Sequence, residues 1–206
     1  GVLLLAGFIS VAIGAIYLRR TNNYKRLLTY STVENMGIVL IGLGVGGVGA
    51  FAALFHMLIH SLLKSGMFAQ IAQVGRLYGT YRINRAGDYL NLYPIGGITV
   101  LLGMVGLLAF PPSGFFVSEV LILKELMFES HWVLLTVFVL LSCLIIYTLA
   151  RRFSGLILRP SDTSRTNRAA ISLLSTGFQL GLIGLALVAG IWQPRFLIEF
   201  LNVIIG

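Results

Sequence analysis

Long apolar runs joined by short basic connectors are the feature that most constrains the fold of this chain. Hydrophobic residues make up 57% of the 206 residues and charged residues only 11%, whereas a soluble domain is typically about 25% charged. Runs of this kind span lipid bilayers as helices, because helices satisfy their own backbone polar groups. The sequence therefore predicts an all-α, polytopic membrane helix bundle in which residues 1–206 form a single membrane domain.

The apolar runs predict about seven spans, each roughly long enough to cross a bilayer. They lie at about 2–18, 32–48, 50–74, 93–110, 115–128, 131–150 and 169–192. The segment 195–206 is short and amphipathic, which predicts a surface helix or a truncated end. The chain enters an apolar run directly after Gly1, without the charged n-region of a signal peptide. We therefore expect a fragment of a longer protein, or a chain whose true start is missing.

The basic residues lie in the connectors, so the net charge of +8 does not indicate nucleic-acid binding. With seven simple spans, the connectors 19–32 and 74–92 would lie on one side of the membrane and 151–168 on the other. All three are positive, so the positive-inside rule leaves the orientation open. Cys143 is the only cysteine, which excludes disulfides within the chain and Cys-ligated iron–sulfur clusters.

Three ionisable residues stand in file within the apolar segment FHMLIHSLLKSGMF. His56, His60 and Lys64 fall at i, i+4 and i+8, so on a helix they share one face over about 12 Å. Ionisable groups at membrane depth usually face a bundle interior or a water-filled path and often mark proton relays. The alternative is structural polar packing. Lys64 favours the functional interpretation, since a snorkelling lysine would need to lie near a helix end.

A second interruption of the apolar pattern comes at Pro111-Pro112, in the sequence PPSG. Prolines break a helical hydrogen-bond ladder, and broken helices at membrane depth often line ion sites. Glu119 and Lys124 follow in a stretch that is otherwise as apolar as a spanning helix. An ordinary loop, with Glu119 near a helix start where the helix dipole favours an acid, is the equal alternative.

The motifs of soluble catalysis are missing from the sequence. Gly44, Gly46 and Gly49 match the dinucleotide-binding spacing, but an apolar helix precedes them and Lys64 occupies the position where an acid is expected, about 20 residues on. We expect these glycines to form a tight turn instead. We find no Ser-His-Asp set and no phosphate loop, so we expect no cofactor, no metal and no catalytic residue.

Three blocks resemble, in order and spacing, the C-terminal half of the antiporter-like proton-translocating membrane subunits. The blocks are YKRLLTYSTVENMG, FHMLIHSLLKSGMF and FPPSGFFVSEVLIL. This family includes the large membrane subunits of respiratory complex I, the membrane subunits of the hydrogenase-4 and formate hydrogenlyase type, and the multi-subunit sodium/proton antiporters. The third block is most similar to the hydrogenase-4 branch.

The resemblance implies a fold of two inverted repeats, each with one broken helix and one half-channel. Residues 1–18 would end the first repeat, 24–150 would form the second half-channel repeat, and 151–206 would supply a connector and the last helix. A chain of this length would not by itself be the family's full transporter.

The resemblance also implies roles for individual residues. Lys64 would be the central protonatable lysine with His56 and His60 beside it, and Glu119 would be the terminal protonatable residue on the broken helix. Lys25 matches the lysine of the KRLL block, whereas Lys124 matches no family position. The candidate proton-pathway residues are therefore Lys64, His60, His56, Glu119, Lys25 and Lys124.

The predicted function is a non-catalytic, proton-translocating subunit of a redox-driven membrane oxidoreductase complex. Its expected partners are other membrane subunits, the lipid bilayer and protons, and not nucleic acid. The expected location is a bacterial or archaeal cell membrane, with the mitochondrial inner membrane as the alternative. Competing functions are a truncated structural piece without transport, a haem or quinone protein, and a sodium/proton antiporter subunit. Histidines at i and i+4 are poorly placed to ligate both faces of one haem.

Overall fold

A computed structural model describes residues 1–160 and 171–192 as a bundle of α-helices. The predicted end segment 195–206 and part of the connector 151–168 lie outside these residues. The described helices are α1 Val2–Arg20, α2 Tyr24–Val45, α3 Gly47–Tyr78, α4 Tyr89–Leu92, α5 Pro94–Leu107, α6 Gly114–Phe128, α7 Trp132–Leu158 and α8 Leu173–Ile191. Among them, α1, α2, α3, α7 and α8 are long and apolar enough to cross a membrane. The predicted all-α membrane bundle is confirmed.

Helix α2 begins earlier than the apolar pattern predicts. It starts at Tyr24 instead of near residue 32, because the Asn23 side chain accepts a hydrogen bond from the Arg26 backbone N–H at 3.2 Å and caps the helix. The KRLL block is therefore the first turn of a spanning helix. This start places Glu34 and Asn35 well inside the helix, where both are buried.

Helices α1 and α2 pack with their backbones almost in contact. A Cβ atom added to Gly7 would lie 2.8 Å from the Gly37 carbonyl oxygen, and one added to Gly14 would lie 2.7 Å from the Glu34 Cβ. Small residues allow such close approach between helices in lipid. The contact with Gly14 fixes the position of Glu34 on the inner side of α2.

Helices α5 and α6 follow one another along α3 in the opposite chain direction. Gly96 on α5 lies at the level of Gln70, which donates to its carbonyl oxygen at 3.2 Å. On α6, Ser118 lies at the level of His56 at 2.8 Å, and Glu125 lies against Gly49. The span from residue 70 to residue 49 is about 32 Å at roughly 1.5 Å per residue, close to a hydrocarbon thickness of about 30 Å. We infer that α5 and α6 together form one membrane passage.

The break in this passage, residues 108–113, lies near the middle of the membrane. Gly106, just before it, packs against Leu63, and Gly114, just after it, packs against Ile59. Irregular backbone at this depth is tolerated where protein or a water-filled cavity surrounds it. The predicted broken helix near Pro111-Pro112 is therefore present, and it lies level with the ionisable row of α3.

The expectation that the connector after α7 lies on the opposite side from the earlier connectors is wrong. Arg152 on α7 donates to the carbonyl oxygen of Arg19 at 3.0 Å, and its own carbonyl oxygen accepts from the Tyr24 hydroxyl at 3.2 Å. Arg159 donates to the carbonyl oxygen of Ile83 at 2.7 Å. These contacts place all three connectors at the same end of the bundle. The expectation fails because α5 and α6 cross the membrane once instead of twice.

The positive charges consequently collect at one end of the bundle, called here the arginine-rich end. It comprises the end of α1, the start of α2, the end of α3, the segment 79–88 and the end of α7. Its basic residues, among those described, are Arg19, Arg20, Lys25, Arg26, Arg76, Arg82, Arg85, Arg151, Arg152 and Arg159. Near the opposite end, the described residues include Lys124 with Glu125 and Glu129. The positive-inside rule therefore predicts that the arginine-rich end faces the cytoplasm.

Candidate functional site

Polar side chains from α2, α3 and α6 meet in the interior of the bundle. We call this group the buried polar cluster. Its members are Ser31, Glu34, Asn35, His56, Lys64 and Ser118, all of which are buried. Gly14 of α1 also packs against Glu34, and the burial of all six side chains shows that the cluster is enclosed by protein.

Lys64 lies in this interior and not against lipid. Only 4% of its surface is exposed. Its Nζ donates to the Ser31 hydroxyl oxygen at 2.8 Å and to the Leu28 carbonyl oxygen at 3.1 Å, both on α2. Hydrogen-bond acceptors thus partly replace the water that a lysine side chain loses on burial.

Glu34 supplies a carboxyl group to the same cluster. Its Oε2 accepts a hydrogen bond from Asn35 Nδ2 at 2.7 Å, and the carboxyl group interacts electrostatically with Lys64. The sequence interpretation missed Glu34, because it placed this residue at the start of α2. An acid in an apolar helix is a signal that could have identified it, had the helix start been assigned to Tyr24.

His56 connects α2 to α6 through both of its ring nitrogens. Its Nε2 lies 3.0 Å from Asn35 Oδ1, and its Nδ1 lies 2.8 Å from Ser118 Oγ. The imidazole stacks on the Phe115 ring with centroids 4.2 Å apart. The ring is therefore held on both edges and on one face, which fixes its orientation.

Glu119 lies on α6, directly after Ser118, and is half-buried. The helix begins just after the break, where the Ser113 side chain accepts from the Phe116 backbone N–H at 3.2 Å. Glu119 interacts electrostatically with Glu34 across the interface between α6 and α2. The structure thus places the acid of the broken helix beside the buried polar cluster.

His60 lies one helical turn from both Lys64 and His56, at the level of the break. Its side chain is half-buried, and its Nε2 is buried without a hydrogen-bond partner among the described residues. Its ring centroid is 6.4 Å from that of Phe115. Buried polar nitrogens normally have a partner, often an ordered water, so this nitrogen marks a polar position next to the break.

Lys25 and Lys124 lie outside the buried polar cluster. Both are exposed. The Lys25 Nζ lies 4.9 Å from the centroid of the Tyr81 ring at the arginine-rich end, and the Lys124 Nζ lies 5.6 Å from that of Phe128. The structure therefore brings together four of the six predicted residues, namely His56, His60, Lys64 and Glu119. The role of all six in a proton pathway stays a prediction.

Residues 1–145 match the family model described as "NADH:quinone oxidoreductase/Mrp antiporter, TM". The chain belongs to this family. The predicted resemblance to the antiporter-like membrane subunits is confirmed. The predicted integral membrane location is confirmed as well, given the spanning helices of the bundle.

Curated relatives include hydrogenase and hydrogenlyase subunits. The chain is 35% identical over 120 residues to the "Hydrogenase-4 component F homolog" of Methylacidiphilum infernorum, which covers 58% of this chain and 25% of the relative. It is 34% identical over 129 residues to "Formate hydrogenlyase subunit 3" of Escherichia coli, which covers 57% of this chain and 21% of the relative. The chain thus spans about a quarter or less of the length of these relatives.

Solved structures of two membrane complexes contain the same fold. A chain of the Mrp complex from a Dietzia species superposes with a TM-score of 0.84 at 17% identity, over 95% of this chain and 45% of the other. A chain of respiratory complex I from Thermus thermophilus gives a TM-score of 0.84 at 21% identity, over 100% of this chain and 45% of the other. The bundle therefore has the architecture of membrane subunits in these complexes.

Proposed function

We propose that this chain is the second half-channel of a proton-translocating subunit in a redox-driven membrane oxidoreductase complex. Residues 1–18 would end a first repeat, 24–150 would form the half-channel, and 151–206 would supply the connector and last helix. The chain would catalyse no redox reaction itself and would act with other membrane subunits. The observation that carries the proposal is the enclosed lysine, Lys64, linked by polar side chains to the broken passage that bears Glu119.

The interior position makes Lys64 suitable for reversible protonation. Removal of water disfavours the charged form of a lysine, while a nearby carboxylate favours it. The balance between the two forms therefore depends on the charge of neighbouring groups, chiefly Glu34. A change of charge elsewhere in the complex would therefore cause Lys64 to take up or release a proton, as a proton pump requires.

The position of Glu119 gives the transfer a direction. Its neighbour Ser118 lies level with His56, which is about 12 Å along α3 from Lys64 at roughly 1.5 Å per residue. This displacement is away from the arginine-rich end. If the arginine-rich end faces the cytoplasm, the proton moves from Lys64 outward to Glu119.

The broken passage supports this transfer physically. Non-helical backbone at membrane depth frees polar groups that must face protein or water, and interrupted helices are found at ion sites in other transporters. The His60 Nε2, which has no hydrogen-bond partner in the described part of the chain, lies next to this break. Water at this position would extend the polar path from Lys64 along α6.

The experiment is proton pumping by the complete complex in inverted membrane vesicles, measured with a pH-sensitive dye after addition of the electron donor. Lys64→Ala and Glu119→Gln are each expected to abolish pumping while the complex still assembles. Glu129→Gln is the matched control, because Glu129 is an exposed acid at the end of α6. Undiminished pumping in both test variants would remove the proposal and would favour a structural piece without transport.

Sodium/proton antiport is the second candidate function. The chain is 25% identical over 145 residues to an Na(+)/H(+) antiporter subunit of Bacillus subtilis, a match that covers 65% of this chain and 18% of the relative. Proton movement in the same vesicles should then require sodium and persist without electron donor under an imposed sodium gradient. Donor-driven pumping without sodium would exclude this function.

A further inference from the structure

The side-chain amide of Asn35 has only one orientation that satisfies its neighbours. Its nitrogen lies 2.6 Å from the Ser31 carbonyl oxygen and 2.7 Å from Glu34 Oε2. A carbonyl oxygen accepts hydrogen bonds and does not donate them, so the amide nitrogen with its two hydrogens must face this side. The amide oxygen Oδ1 therefore faces His56.

This orientation determines where His56 carries a hydrogen. Asn35 Oδ1 is an acceptor, so His56 Nε2, 3.0 Å away, must donate to it. In the neutral ring Nδ1 then carries no hydrogen and can only accept, and the Ser118 hydroxyl 2.8 Å away shares its single hydrogen between this nitrogen and the Phe115 carbonyl oxygen at 2.9 Å. The exchangeable position of His56 is thus Nδ1, on the side of α6.

The same contact interrupts proton transfer between Lys64 and His56. The hydrogen-bonded route leads from Lys64 through Ser31 and Asn35 to His56. An amide group neither takes up nor releases a proton near neutral pH, because it has no titratable site. The route includes a long contact of 3.4 Å between Asn35 Nδ2 and Ser31 Oγ, and it cannot conduct protons past the Asn35 amide.

Glu34 is the titratable group that lies at this interruption. It accepts from Asn35 through Oε2, which leaves the second carboxyl oxygen to take up a proton. Hydrogen-bonded groups connect it to Lys64 through Asn35 and Ser31. Its carboxyl group interacts electrostatically with both Lys64 and Glu119. It is only 5% exposed, and Gly14 of α1 packs against its Cβ. A buried acid that interacts with two other titratable groups has the placement that a relay requires.

We infer that Glu34 carries the proton between Lys64 and Glu119, and that Asn35 and His56 are positioning residues that hold this carboxyl and the adjacent turn of α6. The inference rests on the proposed function. In the first step the N–H bond of the Lys64 ammonium breaks and an O–H bond forms on the Glu34 carboxylate, which leaves two neutral groups. In the second step that proton passes to the Glu119 carboxylate, and Glu34 becomes a carboxylate again. Bridging water carries the proton wherever the groups do not touch.

The test compares Glu34→Gln, Glu34→Asp and Lys64→Ala in the complete, assembled complex, with donor-driven proton pumping as the readout. The glutamine keeps an oxygen that accepts from Asn35 but cannot titrate, so pumping should fall to the level of Lys64→Ala. The aspartate keeps a carboxyl on a side chain shorter by one methylene, so pumping should lie between that level and wild type. Glu129→Gln should pump as wild type does.

Infrared difference spectroscopy of the same complexes, between resting and donor-energised states, separates proton transfer from a structural effect. A carboxyl C=O band that shifts in D₂O should be present in wild type and absent in Glu34→Gln. If Lys64→Ala abolishes pumping while Glu34→Gln pumps normally, the inference is overturned and the proposed function stands. Equal loss in Glu34→Asp and Glu34→Gln, with the band unchanged in Glu34→Gln, also overturns it. Normal pumping in both Lys64→Ala and Glu119→Gln removes the proposed function itself.

Discussion

Replacement of Gly14 by alanine tests whether the close packing of α1 and α2 holds Glu34 in place. The added Cβ would lie 2.7 Å from the Glu34 Cβ and 3.0 Å from its Cα and backbone nitrogen. Backbone atoms of a buried helix cannot rotate away as the tip of a flexible side chain can. The helices must therefore separate, and Glu34 must move relative to Lys64.

The size of the effect follows from these distances. Non-bonded carbon atoms pack at about 3.5 Å or more, so the two helices must shift apart by roughly 0.8 Å. Such overpacking typically costs about 1–3 kcal/mol, and the higher helix propensity of alanine returns up to about 1 kcal/mol. We expect Gly14→Ala to destabilise the folded protein by about 1–2 kcal/mol and to reduce proton pumping.

Gly177→Ala is the matched control for this substitution. Gly177 lies inside α8, and among the described residues no atom outside the adjacent turns of the helix backbone lies within 4 Å of the Cβ that alanine would add. We expect unchanged pumping and a stability that is unchanged or higher by up to about 1 kcal/mol. Thermal unfolding of the purified complete protein in detergent, followed by tryptophan fluorescence, measures both variants. Equal unfolding temperatures for the two variants, with equal pumping, would refute the packing argument.

Two further predictions concern orientation and the docking of α8. In a background with Cys143 replaced by serine, a membrane-impermeant maleimide added to intact cells should label Glu129→Cys and not Asn84→Cys, both at exposed positions; the reverse pattern would place the arginine-rich end outside. Gln73 donates to Thr176 and Gln179 at 2.9 and 3.1 Å and accepts from a backbone N–H of α8's cap at 3.2 Å. At about 0.6 kcal/mol for each such bond in a membrane, Gln73→Leu should destabilise the protein by about 2 kcal/mol in thermal unfolding, and an unchanged unfolding temperature would contradict this.

Much of the fold could be predicted because its signals are local. Apolar runs of spanning length, the prolines at Pro111-Pro112 and the spacing of His56, His60 and Lys64 depend only on residues that are close in sequence. Helical periodicity then places the three side chains on one face without knowledge of any neighbouring helix. For the same reason the sequence indicates an interrupted helix but not what lies beside the interruption.

The candidate site could be predicted only in part. The sequence singles out Lys64 and Glu119 as unusual charges in apolar surroundings, but it does not identify Glu34 as their neighbour. That role depends on the cap at Asn23, which moves the start of α2, and on Gly14, which brings α1 against α2.

The sequence by itself determined that this chain crosses a membrane as helices and carries ionisable groups at membrane depth, because hydrophobicity and helical period are properties of single segments. The tertiary structure decided which of those groups meet and on which side the connectors lie. The meeting of Lys64 with its partners depends on α2 packing against α3, and the side of the connectors depends on α5 and α6 crossing the membrane together along α3. A contact between segments far apart in the chain follows from the packing of several helices at once, which the pattern of one helix does not contain.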